Sequence, residues 1–288
     1  MKNILELNRV SKAYQKSGFA LDNISFSLPY GSVMGFVGEN GAGKTTTIGC
    51  ILNTLRRDSG TVSIFGKEML DDDVEIRERI GVVYDGDNFP GYLTVEQLAG
   101  IMQGLYRNWD QSLFQKYLKD FHLPAGQKIK NYSRGMTMQL AISAALSHHP
   151  QLLILDEATS GLDPVMRDEI LDLFLGFVQE EDHSILLSSH ITSDLEKIAD
   201  HITLIHGGKL IMTAPKDELI YDYAVMRCGE AQFQALAPED ILAFRRRDFQ
   251  IDVLTADGKK ARRKYGKMVI DHASLDEIML LLVKGERV

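Results

Sequence analysis

Apolar positions are interleaved with polar ones from the start of the chain: Ile4, Leu7 and Val10, then Leu21, Ile24, Phe26 and Leu28. That interleaving predicts short antiparallel strands with one face in a core. After the turn Gly31-Ser32, residues 33–37 (Val-Met-Gly-Phe-Val) form an unbroken apolar run, the mark of a strand buried on both faces. Similar runs recur at 80–84, 152–155, 185–187 and 202–205. Helical stretches are predicted at 45–55 and 165–178. Strands alternating with helices imply a mostly parallel sheet with helices on both faces. From 94 to 150 the pattern is mostly helical, clearest over 133–146, and reads as an insertion into that α/β scheme.

Beyond about 221 the character changes. Strand-like pieces at 249–254 and 268–270 alternate with two helices. The last helix has Ser274 as cap, Glu277 three residues on, and Leu275, Ile278, Met279 and Leu282 on one face. The expected organisation is therefore an N-terminal antiparallel β subdomain and parallel sheet over 1–220, a helical subdomain over about 88–150, and a small α+β C-terminal element over 221–288.

Composition narrows the class. The 288 residues are 44% hydrophobic and 25% charged, ordinary globular proportions. The net charge of −8 argues against a dedicated nucleic-acid binder, so no nucleic acid is expected as a partner. Cys50 and Cys228 have no metal-ligand spacing and read as reduced thiols. The charged start is unlike a signal peptide, and no stretch approaches the roughly 20 apolar residues that span a bilayer.

Between the strand at 33–37 and the helix after it lies Gly38-Glu39-Asn40-Gly41-Ala42-Gly43-Lys44-Thr45, a match to the phosphate-binding loop pattern G-x-x-x-x-G-K-[ST]. Small residues let backbone N–H groups curl around an anion, and the following helix turns its positive end to the phosphates. Lys44 adds a point charge, the Thr45 hydroxyl is a candidate Mg²⁺ ligand, and Thr46 joins the loop as a nucleotide contact. The fold class is thus α/β of the P-loop NTPase (RecA-like) kind.

The strand at 152–155 runs into Asp156-Glu157. Asp156 is the candidate Mg²⁺ holder and Glu157 the candidate general base for an attacking water. His190 follows the strand at 185–187 and is a candidate γ-phosphate contact. No guanine-reading Asn-Lys-x-Asp segment is present, which excludes a GTPase switch.

With these pieces in order, residues 1–215 resemble an ABC-type ATPase. Tyr132-Ser133-Arg134-Gly135-Met136 stands where that family has its Leu-Ser-Gly-Gly-Gln signature, and Ser160-Gly161-Leu162-Asp163 resembles its D-loop. The resemblance implies that Ser133, Gly135 and Asp163 face ATP bound by a second subunit, that His190 is the switch histidine, and that Tyr14 stacks on adenine. It implies ATP and Mg²⁺ as cofactors, ATP hydrolysis as the activity, a second ATP-binding subunit and separate transmembrane permease subunits as partners, and a cytoplasmic location on the inner face of the membrane. Subunits of bacterial drug and peptide exporters are the nearest kin by this reading. The departures are Arg134, Met136, Ala158 in a usual proline position, and Asp85 in place of the family's glutamine, where it becomes a further candidate metal ligand.

Three features stay open. Phe89, Tyr92 and Leu93 either grip a membrane subunit or pack the insertion's own core. Arg245 to Arg247 and the basic run Lys259 to Lys264 either touch anionic headgroups or form a solvated face. A soluble ABC ATPase acting on ribosomes or nucleic acid is the alternative function, disfavoured by the single cassette and the lack of a long coiled-coil insertion.

Overall fold

The computed structural model describes residues 2–14, 18–70, 73–86 and 88–287. At its centre is a six-stranded sheet in the order Lys209–Pro215, His201–His206, Val33–Val37, Ser184–Ser189, Leu152–Asp156, Ile80–Val83. The edge strand Lys209–Pro215 is antiparallel and the other five are parallel, as the apolar runs predict.

Alternation within these runs divides the core. Leu153 and Leu155 face one buried cluster with Val37, Ile185 and Leu187. Leu152 and Ile154 face the other, with Phe36, Leu186 and the N-terminal strands. Those strands, Ala20–Pro29, Asn3–Ala13, Ser59–Ile64 and Lys67–Glu68, form the expected antiparallel sheet. The helix predicted at 45–55 ends earlier, as Lys44–Ile51. Leu55 folds back onto it: its N–H donates to the Gly49 carbonyl at 3.0 Å, and its side chain fills the space above Gly49.

The insertion contains helices Val95–Leu105, Gln111–Asp120 and Arg134–Leu146 around Phe114 and Leu140. Each start is capped by a side chain: Thr94 in a reciprocal box with Gln97, Asp110 accepting from Leu113 N, and Ser133 accepting from Met136 N.

The tail holds a second antiparallel sheet, in the order Ala243–Arg246, Ile251–Thr255, Ala224–Cys228, Val269–His272. Two of these strands, Ala224–Cys228 and Ala243–Arg246, escape the sequence reading. Phe249, expected in a strand, stands in the connection before Ile251 and is 99% exposed. The basic run is mostly the helix Gly258–Lys264. Lys260 and Lys264 donate to the buried Asp240 at 2.6 and 2.7 Å, and these two contacts hold its carboxyl well below the usual carboxylate range. That part of the run is an internal ion-pair hub. Helix Leu275–Lys284 packs back on helix Thr192–Ile198, with Thr192 Oγ1 donating to Asp276 at 2.9 Å. No helix among the described residues is long and apolar enough to cross a membrane.

Candidate functional site

The C-terminal ends of adjacent strands in the parallel sheet gather the chemistry on one edge, as open α/β sheets do. Val37 pairs with Ser189, and Asp156 with Ser188, so the loop after 37, the acids at 156–157 and His190 emerge side by side.

The loop keeps its glycines for steric reasons. Gly38 passes so close to the neighbouring strand that an added Cβ would lie 2.5 Å from the Ile205 carbonyl oxygen. Gly43 opens the helix with φ of 114°, and a Cβ there would meet Leu21 at 2.7 Å and Phe19 at 3.0 Å. The first turn of the helix carries no acid, which leaves its positive end open to an anion.

A cleft of about 580 Å³ lies over this loop. It is lined by Tyr14, Phe19, the loop residues Glu39, Asn40, Gly41, Gly43, Lys44, Thr45 and Thr46, and the acids Asp85, Asp156 and Glu157. Gly38 and Ala42 shape the loop from behind. On the cleft floor, Thr45 Oγ1 donates to Asp156 Oδ2 at 2.8 Å, while Asp156 Oδ1 is buried without a hydrogen bond. Lys44 Nζ donates to the Gly38 carbonyl at 2.7 Å and lies 3.3 Å from Glu157 Oε1. The other Glu157 oxygen is 2.6 Å from His190 Nδ1. Burial pushes the nearby Tyr84 phenol up, and the Asp156 carboxylate adds to the effect.

The strand ends at Asp156, and Glu157 adopts a left-handed φ of 54° with its N–H on the Ser188 carbonyl at 2.9 Å. A bulky residue held there is strained, a common property of functional positions. The turn breaks the strict alternation of a strand, so both carboxylates face the cleft.

Ser133, Gly135 and Asp163 do not line this cleft. The Ser133 and Asp163 side chains cap their own helices, Asp163 accepting from Val165 N and Met166 N at 3.1 Å. Asp85 lines the cleft, but its carboxylate accepts from Arg134 Nη2 at 2.8 Å.

A family model described as "ABC transporter" matches residues 21–160, the stretch that carries the loop, the signature segment and both acids. The bacitracin transport ATP-binding protein BcrA of Bacillus licheniformis is 35% identical, over 76% of this chain and 72% of its own length. This chain belongs to the ABC transporter ATP-binding family.

The linearmycin resistance ATP-binding protein LnrL of Bacillus subtilis is 33% identical to this ABC subunit over 75% of the chain and 70% of LnrL. A solved ATP-binding subunit of an ABC transporter superposes with a TM-score of 0.66 at 25% identity, over 75% of this chain and 91% of that one. The ATP-binding cassette MJ0796, solved as a dimer with ADP and Pi, shares the fold with a TM-score of 0.66 at 23% identity, over 74% and 98% of the two chains.

Two features of this ABC subunit's site escaped the sequence reading. Phe19 lines the cleft beside Tyr14, their ring centroids 6.4 Å apart. Its signal was an aromatic five residues after Tyr14, next to Gly18. The Asp85–Arg134 pair joins two departures from the family pattern, and their opposite charges were the available clue.

Proposed function

We propose that this chain is the ATP-hydrolysing motor of an export-type ABC transporter, closing as a dimer on two ATP molecules and driving separate transmembrane subunits from the inner face of the membrane. The observation that carries this reading is Glu157, held at the cleft floor between Lys44 and His190. In this arrangement the cationic Lys44 is occupied by protein oxygens. A triphosphate in the loop offers it stronger acceptors, and its departure frees one Glu157 oxygen to accept a proton from water. His190 holds the other oxygen and orients the carboxylate.

The donor set suits Mg²⁺. Among the described residues no group of three or more His, Cys, Asp or Glu side chains forms a metal cage. A hydroxyl beside a carboxylate with a free buried oxygen is what an ion shared with substrate phosphates requires. Thr45 and Asp156 would hold it, and when bound it neutralises charge on the β and γ phosphates.

An apolar groove of about 390 Å³ between the insertion and the sheet edge supports docking of a membrane subunit. Phe89 and Leu93 pack inward against the insertion, whereas Tyr92 is 71% exposed at the rim with Ile101 and Leu105. The roles in the names of these relatives, bacitracin transport and linearmycin resistance, support export of an antibiotic.

The test is Glu157→Gln. The variant is expected to bind ATP, to lose at least about 100-fold in turnover, as a removed general base does, and to run as an ATP-dependent dimer by light scattering. Parental turnover in the variant would remove Glu157 from the role of base. Absence of any ATP-dependent dimer would count against the motor reading.

A further inference from the structure

Helix Pro164–Phe177 packs beside helix Thr192–Ile198, and charged side chains join the two at two levels. Toward the end of the second helix, Lys197 Nζ donates to Asp168 at 2.6 Å and to Asp172 at 2.8 Å, a closed clasp. In its first turn the matching clasp is open: Arg167 Nη1 stands 3.8 Å from Asp194 Oδ1. Asp194 is 3% exposed. Its Oδ2 is buried without a hydrogen bond among the described residues, and so is Arg167 Nε. Buried charged groups are ordinarily hydrogen-bonded, and a guanidinium–carboxylate pair closes at about 2.8 Å. The two side chains thus hold unused hydrogen-bonding capacity across a gap about 1 Å too wide.

The gap lies where a small movement matters. Only Ile191 separates His190 from helix Thr192–Ile198, and that helix starts without a side-chain cap. Tertiary contacts position its first turn: Thr192 Oγ1 donates to Asp276 of the tail on one side, and Asp194 faces Arg167 on the other. His190 meets one oxygen of Glu157 twice, through its ring Nδ1 at 2.6 Å and through its backbone N–H at 3.3 Å. Glu157 is fastened from its own side by its N–H on the Ser188 carbonyl. A shift at the entry of helix Thr192–Ile198 is therefore felt at the Glu157 carboxylate.

We infer that Asp194 and Arg167 are positioning residues for ATP hydrolysis, acting through His190. Closing their gap draws the first turn of helix Thr192–Ile198 toward helix Pro164–Phe177, with the Lys197 clasp as the fixed end. That movement sets the angle at which His190 presents the Glu157 carboxylate to water. Neither Asp194 nor Arg167 lines the nucleotide cleft, so the pair governs turnover and leaves ATP binding alone. The inference rests on the reading of Glu157 as general base.

Steady-state ATP hydrolysis by the full chain tests it, together with nucleotide affinity from a fluorescent ATP analogue and urea midpoints. Asp194→Asn and Arg167→Gln are each expected to lower kcat about 10- to 100-fold, the scale of a misplacement of about 1 Å. KM and nucleotide affinity are expected to stay within about 2-fold of the parent, since ground-state binding is untouched. Each single substitution also leaves a buried partner unpaired and lowers the urea midpoint. The neutral pair Asp194→Asn with Arg167→Gln is expected to regain the midpoint but not kcat, and it keeps the test readable if a single variant is too unstable to assay. Adding Asp194→Asn to His190→Ala is expected to leave kcat at the value of His190→Ala alone, because the path through His190 is already cut. Recovery of kcat in the neutral pair reduces Asp194 and Arg167 to a strut between helices and overturns the inference. A further loss of kcat when Asp194→Asn is added to His190→Ala does the same, as does a parental kcat in His190→Ala itself. If Glu157→Gln turns over like the parent, the reading of the base fails and takes this inference with it. If Glu157→Gln is slow while Asp194→Asn hydrolyses at the parental rate, this inference alone fails.

Discussion

At the residue scale, the spacing of the phosphate loop is written openly because it obeys a local constraint. Gly41 and Gly43 hold φ of 82° and 114°, which the tight turn of the loop demands at fixed spacing. Gly38 adds a tertiary constraint, since the Ile205 carbonyl of the neighbouring strand lies where a methyl group would go and a backbone atom cannot swing aside. Gly38→Ala is therefore expected to push the loop off strand His201–His206, costing about 1–3 kcal/mol of stability as overpacking does. It should also displace the loop N–H groups from any bound phosphate. Urea denaturation and titration with a fluorescent ATP analogue read both effects, and a variant with parental midpoint and affinity would contradict the close approach. The pairing of Asp85 with Arg134 is less legible for the opposite reason. Their contact spans 49 positions and depends on how the insertion docks, which no local pattern records.

At the element scale, the parallel strands were read to within a residue or two because each is a run buried on both faces. Ala224–Cys228 was missed because its polar Arg227 and lone Val225 give no clear period. Its strand character comes from partners on both sides, Ile251–Thr255 and Val269–His272. The junction between insertion and sheet is also set by tertiary contact, and it carries a titratable group. His148, 1% exposed, stacks on Tyr106 with centroids 4.0 Å apart, and its Nδ1 lies 3.1 Å from the Glu78 carbonyl. The carbonyl can only accept, so the neutral ring carries its proton on Nδ1. Burial lowers this imidazole to about 4, against the smaller opposing pull of the Glu78 carbonyl. A base with a depressed folded pKa costs nothing above its unfolded value of about 6.5. Stability falls as pH drops from there toward 4, because the unfolded chain takes up a proton that the folded one refuses. Between pH 7.5 and 5 the linked loss is about 2 kcal/mol. Denaturant midpoints at the two pH values should show it, and His148→Gln should flatten that difference. An unchanged pH dependence in the variant would assign the loss elsewhere.

At the scale of the whole molecule, the change of character near residue 221 marks a change of sheet, while side chains from both sides enter one continuous buried cluster. Val225, Leu254, Leu275, Ile278 and Leu281 from the tail share it with Leu195, Ile198 and Leu219. The hydrogen bonds from Thr192 to Asp276 and from Leu275 N to Glu196 cross the same seam. These links fall on the helix that directly follows His190, so the tail braces the segment on which that histidine is mounted. A tail folded on its own would unfold without the cassette, whereas a shared core makes the two unfold together. Trp109, the only tryptophan, lies in the helical insertion and reports on the cassette from a separate hydrophobic cluster. Leu281→Ala removes a side chain that is buried to 3% exposure, at a cost of about 2–5 kcal/mol. If the core is common, the Trp109 fluorescence transition in urea shifts to lower denaturant with that tail substitution and stays a single step. A Trp109 midpoint that ignores Leu281→Ala, with a second transition visible by circular dichroism, would make the tail an independent unit and remove its mechanical link to His190.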